Sequence, residues 1–325
     1  MPIGGMVDTR TSFNAQTKVL QRIVSHRAVE VPPWWPNLLQ EVDNDPNRSF
    51  MDVGAYAELG YMQRKDEGAP PVMDQPFELI PEHFVFSTWA LMSSVSMEAE
   101  NEDPINFLEK LAPMLTDSET STKDVQYTNV INQGFNPVQT MADGQPLFSP
   151  NHLLAPVPGD SGPISKIGRT YSNSVGATQF TPESFRQAEL LFQLMLSDRA
   201  LPAARTSKYV LCHPNMLKNV QEVTGSPQGP YTADRKENTQ YQQAIPLGCR
   251  YLTNENAWYL IAATGGWPNG DGHALIVSHK FQYSIEVWRD PQTRNWNISN
   301  MFRSCYGPAD WRGVVGSLGA GPVTL

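Results

Sequence analysis

Residues 50–92 constrain the fold of this chain more than any other stretch. Gly54 to Met62 reads as one extended limb, and Arg64 to Gln75 is polar and carries Gly68 and Pro70-Pro71, the composition of a turn-rich tip. On the return, Phe84, Phe86, Thr88, Ala90 and Met92 recur at every second residue and share one strand face. Phe77 and Leu79 lie in the opposite register, so a bend or bulge is expected at Ile80-Pro81. The spacing predicts a long β-hairpin. An isolated two-stranded hairpin is marginal in water, so this one needs a surface to lie on. Arg64, Lys65, Asp66 and Glu67 place charges of both signs at its tip and are candidate contact residues.

The segment before it makes the same demand. In Val31-Pro32-Pro33-Trp34-Trp35-Pro36 the prolines remove backbone donors and favour extended chain. Trp34 and Trp35 then require an apolar surface, which an extended arm over its own or a neighbouring subunit would supply.

After the hairpin comes an acidic run, Glu98, Glu100, Glu102 and Asp103, closed by Pro104. Asp103 suits a helix N-cap and Pro104 the first helical position. Phe107, Leu108, Leu111 and Leu115 would follow on one face, with Pro113 expected to kink or end the helix. A second helical stretch over about 122–133, with Val125, Val130 and Ile131, makes one long bent element with the first. Residues 135–175 are rich in turn signals.

Regular structure resumes at Thr181-Pro182, with Thr181 as cap and Phe180 placed to staple against Phe185. The helix it opens would bury Phe185, Ala188, Phe192, Met195 and Leu196. A strand over 208–212 leads to a helix opened by Pro214 and ended near Gly225. After a polar loop over 226–240, the remainder reads as mostly β: Tyr251-Leu252, 257–262, 274–277, then the alternations Tyr283/Ile285/Val287 and Trp296/Ile298/Phe302. This order is α+β and lacks the βαβ repetition of a doubly wound enzyme.

Composition narrows the functional classes. Net charge is −9 and the best basic run, Arg64-Lys65, is followed at once by two acids, so sequence-specific nucleic-acid binding is not expected. No apolar run approaches the roughly 20 residues that span a bilayer, and the first residues lack a signal-peptide pattern. The cysteines, Cys212, Cys249 and Cys305, are odd in number and form no CxxC pair, so reduced thiols are expected.

The search for chemistry yields little. The acidic run over 98–103 lacks the spacing and turn glycine of a calcium loop. The six histidines form no HExxH pair. Asp160-Ser161-Gly162 sits in a proline-flanked loop without a nucleophile elbow, and Gly265-Gly266-Trp267 and 316–321 lack phosphate-loop spacing. Neither a catalytic residue nor a cofactor or metal site is expected.

Three stretches carry a resemblance. Asp143 to His152 (DGQPLFSPNH) resembles a "DGxPLFSxxH" segment of major head subunits of Mu-like and related tailed phages; Asn256 to Leu260 resembles their "xxWYL" strand. Tyr306 to Ser317 (YGPADWRGVVGS) is similar to their C-terminal "GxxDWRGxxGS". The resemblance implies the Hong Kong 97-type α+β fold, with an N-terminal arm at 1–50, an E-loop hairpin at 51–97 and a peripheral domain with spine helix at 98–175. An axial domain would follow at 176–275, and 276–325 would return to the peripheral domain. It implies a major capsid protein that self-assembles into pentamers and hexamers around phage double-stranded DNA, built in the host cytoplasm and ending in the virion. Expected partners are a separate scaffolding protein, a portal and decoration proteins. Asp310 and Arg312 are expected to pair while Trp311 packs, within or between subunits. Lys65 is not expected to crosslink. Two other readings compete: an encapsulin-type compartment shell, and a hydrolase using His152 or Asp160-Ser161.

Overall fold

The structure, a computed structural model, describes residues 33–43, 47–54, 59–76, 78, 80–102, 107–153, 170–197, 201, 206–228, 237–262 and 274–320. Several expectations fall elsewhere. The arm before Pro33, Phe77 and Leu79, the Asp103-Pro104 cap, the side chains of Phe107 and Leu108, Asp160-Ser161-Gly162, His26, His273, Gly265-Gly266-Trp267 and most of the 226–240 loop lie outside the described residues.

The chain divides into two compact units. One draws on 1–51, 85–127 and 277–305, the other on 52–84, 128–276 and 306–325.

The first unit is built on a four-stranded sheet. Its order is β1 (Gln40–Glu41), β11 (Leu275–Arg289), β12 (Trp296–Pro308) and β4 (Ser87–Val95). β4 runs antiparallel to β12, with Val95 opposite Trp296 and Ser87 opposite Ser304. Strand alternation puts Val95, Ile285, Val287, Trp296 and Ile298 into one core with Leu111, Ala112 and Leu115 of helix α2 (Phe107–Asn132). Tyr283 belongs to the same alternation but is exposed, so burial there begins at Ile285.

Of the two outcomes expected at Pro113, an end to the helix is excluded: α2 continues through it to Asn132 as one long element. Removing one donor costs one intrahelical hydrogen bond, and the burial of Leu111, Ala112 and Leu115 on either side outweighs that loss. Glu98 and Glu100 of the acidic run fall within a short helix, α1 (Met97–Asn101).

Among the described residues, β2 (Phe50–Val53) and β3 (Glu82–Val85) pair as a two-stranded ribbon, and Glu78 forms a further bridge. Beyond Pro81, Thr88, Ala90 and Met92 of the alternating run belong to β4, which pairs with β12.

The second unit centres on a five-stranded sheet of order β7 (Ser174–Gly176), β13 (Val314–Ser317), β10 (Trp258–Ala262), β8 (Ser207–Cys212) and β9 (Ile245–Gly248). β10 is antiparallel to both neighbours, whereas β7–β13 and β8–β9 are parallel. Every residue of β10 is buried. That is why Trp258 to Ala262 reads as a continuous apolar run without alternation.

Helices α3 (Pro182–Gln193) and α4 (Pro214–Gly225) start where the sequence predicts. Thr181 and Ser184 form a capping box, and the Phe180 and Phe185 rings meet edge-on at 6.0 Å. Phe185, Ala188, Phe192 and Met195 are buried. Tyr251 and Leu252 lie in a turn, not a strand, although Leu252 is buried. A further ribbon pairs β5 (His152–Leu153) with β6 (Thr170–Tyr171).

Candidate functional site

Two of the three sequence motifs, more than 150 residues apart in the chain, meet in one cluster of the second unit. The first motif opens with a tight turn: the Gly144 N–H donates to Met141 O at 2.9 Å, and Gly144 adopts φ +76°, a backbone conformation glycine reaches without steric cost. Asp143 closes the turn by accepting the Gln145 N–H at 2.9 Å. Its other carboxylate oxygen lies 2.6 Å from His152 Nδ1, while His152 Nε2 faces the Leu147 carbonyl at 3.3 Å. The imidazole is fully buried and lies parallel to the Trp311 indole, ring centroids 4.2 Å apart.

The second motif holds Trp311 from its other end. Asp310 caps a short 3-10 turn by accepting the Arg312 N–H at 3.0 Å, and Arg312 Nη1 reaches the same oxygen at 3.3 Å. The Arg312 guanidinium stands over the Trp311 ring at 4.6 Å. Asp310 and Arg312 therefore pair within the chain.

Asn173, which the sequence did not single out, joins the motifs. Its amide nitrogen donates to the carbonyls of Leu147, Trp311 and Val314 at 2.7, 3.1 and 3.2 Å. Its side-chain oxygen accepts the Ser149 N–H at 2.9 Å, and its backbone oxygen accepts the Gly316 N–H at 3.0 Å. An asparagine in a turn-rich stretch carries no such signal; only the meeting of three backbone segments creates the demand.

Phe148 wedges between two glycines. A Cβ on Gly134 or Gly316 would come within 2.6 or 2.7 Å of its ring, which also stacks on Phe135 at 4.8 Å and meets Tyr259 at 5.2 Å. At the rim, the half-buried Glu82 accepts the Ala142 N–H at 2.7 Å. Burial pushes its carboxyl up to about 7; the Ala142 N–H opposes this shift, and the nearby Asp143 and Asp310 add to it.

The chemistry available here is limited. Asp143 and His152 have the spacing of a general-base pair, but the outer nitrogen of His152 faces a backbone carbonyl and the ring is sealed from solvent. Among the described residues, no group of three or more His, Cys, Asp or Glu side chains could hold a metal ion. Among them, too, no helix is long and apolar enough to cross a membrane.

The phage capsid protein family profile matches residues 81–317, which include both motifs of the cluster and the Trp258-Tyr259-Leu260 strand. The chain belongs to the phage capsid protein family. No curated protein matches its sequence. Among solved structures it is similar to the capsid of the cyanophage P-SCSP1u, with a TM-score of 0.55 at 9% identity over 87% of this chain and 86% of that one. It is also similar to the capsid of a native GTA particle, with a TM-score of 0.52 at 9% identity over 87% and 89%. The procapsid of bacteriophage JBD30 gives 0.50 at 11% identity over 97% and 77%. These likenesses establish the Hong Kong 97-type α+β fold. With the family match they make the chain a major capsid protein, a structural component of the phage virion that builds the capsid shell.

Within this capsid protein the candidate contact residues separate into two groups. Arg64, Lys65, Asp66 and Glu67 are all exposed, around a turn in which Gly68 takes φ +80°. Trp35, Asp310, Trp311 and Arg312 do not offer free surface. Trp35 is buried against its own chain, edge-on to Tyr127 at 5.5 Å, and Asp124 accepts the N–H groups of both Trp34 and Trp35 at 3.0 Å. Trp34 is half-buried. Asp310 and Trp311 are buried, and Arg312 keeps only 11% of its side chain exposed. Their own chain supplies the apolar and charged partners that the sequence reading left open to a neighbour.

Proposed function

We propose that this chain is the self-assembling major head subunit of a tailed phage of the Mu-like kind, forming pentamers and hexamers that close around double-stranded DNA without catalysing a reaction. The observation that carries this reading is the apolar surface of the segment between β2 and β3. Met62 is 101% exposed, Met73 85% and Ile80 73%, with Leu59, Tyr61 and Val72 exposed beside them. So many exposed apolar side chains on one segment suit a protein contact, and a second copy of the same chain is the partner that closes rings and shells. The charged tip, Arg64 to Glu67, would lie at the end of that contact.

The domain assignment follows the same reading: an arm at 1–50, an E-loop at 51–97, a peripheral domain at 98–175 rejoined by 276–325, and an axial domain at 176–275. A separate scaffolding protein, a portal and decoration proteins complete the particle, which assembles in the host cytoplasm. The inward-facing Asp143–His152 pair supports a structural rather than a hydrolytic role.

The test is electron microscopy of the full chain, with and without its scaffold, beside the double variant Met62→Asp/Met73→Asp. Shells from the wild type, and folded subunits without shells from the variant, are expected. Shells of normal yield from the variant would overturn the role of this segment. Small monodisperse particles from the wild type under every condition would overturn the capsid reading.

A further inference from the structure

The four-stranded sheet of the first unit packs one face against α2. Trp296 and Ile298 of β12 enter that core, so strand alternation turns Met301 and Arg303 of the same strand to the opposite side. Beside them on that side stand Met92, Ala90 and Thr88 of β4, paired with Ser299, Met301 and Arg303. All three β4 residues are exposed, Met92 by 58%.

Arg303 is out of place on this face. It is half-buried on a strand flanked on both sides, and the β4 residue opposite it is an uncharged threonine. Its Nε is sealed from solvent, and among the described residues no acceptor meets it. A buried donor on a charged group costs free energy until it finds a partner. We propose that this sheet face receives the 59–76 segment of a second copy, with Arg303 pairing with that copy's Asp66 while its Met62 lies over Met92. The proposal rests on the reading of that segment as a contact between copies and names the surface it meets.

Spacing and chemistry match. Met62 and Asp66 are exposed and four residues apart, in a stretch that forms neither helix nor turn. Four residues of extended chain span about 13 Å. Met92 stands opposite Ser299, and Arg303 lies four residues further along β12, the same span. A segment laid along the sheet thus sets one thioether on another and brings a carboxylate to the guanidinium that lacks one. The planar guanidinium fork suits a carboxylate, which it can hold through two parallel hydrogen bonds. The contact is heterologous, one copy's segment on the next copy's sheet, and contacts of that kind close rings.

Charge exchange on the full chain tests the pairing. Arg303→Glu and Asp66→Arg each set like charges face to face and should each lower the yield of shells, counted by electron microscopy, by about tenfold. The combination Arg303→Glu/Asp66→Arg should recover most of the loss. Asp66 is exposed, so its variant separates assembly from folding. If Arg303→Glu does not fold, the conservative Arg303→Lys decides: carbodiimide should join its amine to Asp66 of another copy, an amide link that mass spectrometry of mixed isotopically labelled and unlabelled chains identifies. Normal shell yield from Asp66→Arg, a combination no better than the single variants, or absence of that link would overturn the proposal. Normal Arg303→Glu shells that package less DNA would also overturn it and assign the guanidinium to phosphate. Shells lost in Met62→Asp/Met73→Asp but kept in the charge variants would sink this pairing alone, whereas shells kept in Met62→Asp/Met73→Asp would sink the reading beneath it.

Discussion

His152 and Trp311 lie face to face, ring planes 2° from parallel and centroids 4.2 Å apart, and neither is accessible to solvent beyond 5%. This stack binds the DGQPLFSPNH and DWRG motifs into one structural unit, and the first prediction follows from it. Trp311→Ala should destabilise the subunit by about 3–5 kcal/mol, the range for emptying a buried aromatic site. Trp311→Phe should cost less. Urea denaturation measures both, and a midpoint unmoved by the alanine variant would sink the idea that the stack anchors the motifs.

Asn173 should be nearly as sensitive. Truncation to alanine leaves the buried carbonyls of Leu147, Trp311 and Val314 without their shared donor. A loss of about 1–3 kcal/mol is expected, since the Ser149 N–H also loses its acceptor and an orphaned buried polar group costs about that much. Asn173→Asp should fare no better, because a carboxylate offers acceptors where donors are needed. Wild-type thermal stability in both variants would refute this account.

The glycines flanking Phe148 make a steric prediction. Gly316→Ala places a methyl 2.7 Å from the Phe148 ring, in the middle of strand β13. Overpacking of this kind costs about 1–3 kcal/mol. The double variant Gly316→Ala/Phe148→Leu should recover part of the loss, and a double-mutant cycle without coupling would show that the two do not meet.

Thiol reactivity should depend on folding. Burial pushes the Cys212 thiol up to about 12, with Cys249 adding to the shift, and the Cys305 thiol up to about 11. The thiolate is the reactive form. At pH 8 both should resist iodoacetamide in the native chain and react fully in denaturant; mass spectrometry of the alkylated peptides decides. Rapid native labelling at either position would contradict their placement.

His279 gives a pH dependence of stability. Burial lowers its pKa below the ordinary 6.5, although Glu41 at 2.9 Å pulls the other way and Lys123 adds to the lowering. The unfolded chain therefore binds this proton more readily than the folded one. The stabilisation is fully present above 6.5 and is lost as pH falls below it toward the depressed folded value. His279→Gln should lower stability at pH 7.5, by removing contacts with Tyr127 and Glu41, yet lose less than the wild type between pH 7 and 5. Parallel melting-temperature curves would rule this out.

Local instructions were legible in the residues themselves. Thr181-Pro182 and Pro214 open helices because capping and proline geometry are settled within one turn. The apolar run over 257–262 reads as β and forms the buried strand β10, and the two long motifs resemble the family that the profile match shows. Tertiary structure decided what depends on distant partners. Pro113 stays inside a helix because the core on either side of it offsets the missing hydrogen bond. The 87–95 strand pairs with β12 over its whole length, yet Thr88, Ala90 and Met92 of its alternating face stay exposed and only Val95, in the other register, enters the core. Trp35 turns inward because Tyr127 and Asp124 await it on α2. The partnership of His152, Asn173 and Trp311 was invisible in one dimension, since no local preference makes a histidine, an amide and an indole seek one another; they meet because the fold brings their backbones together and leaves buried polar groups to be satisfied.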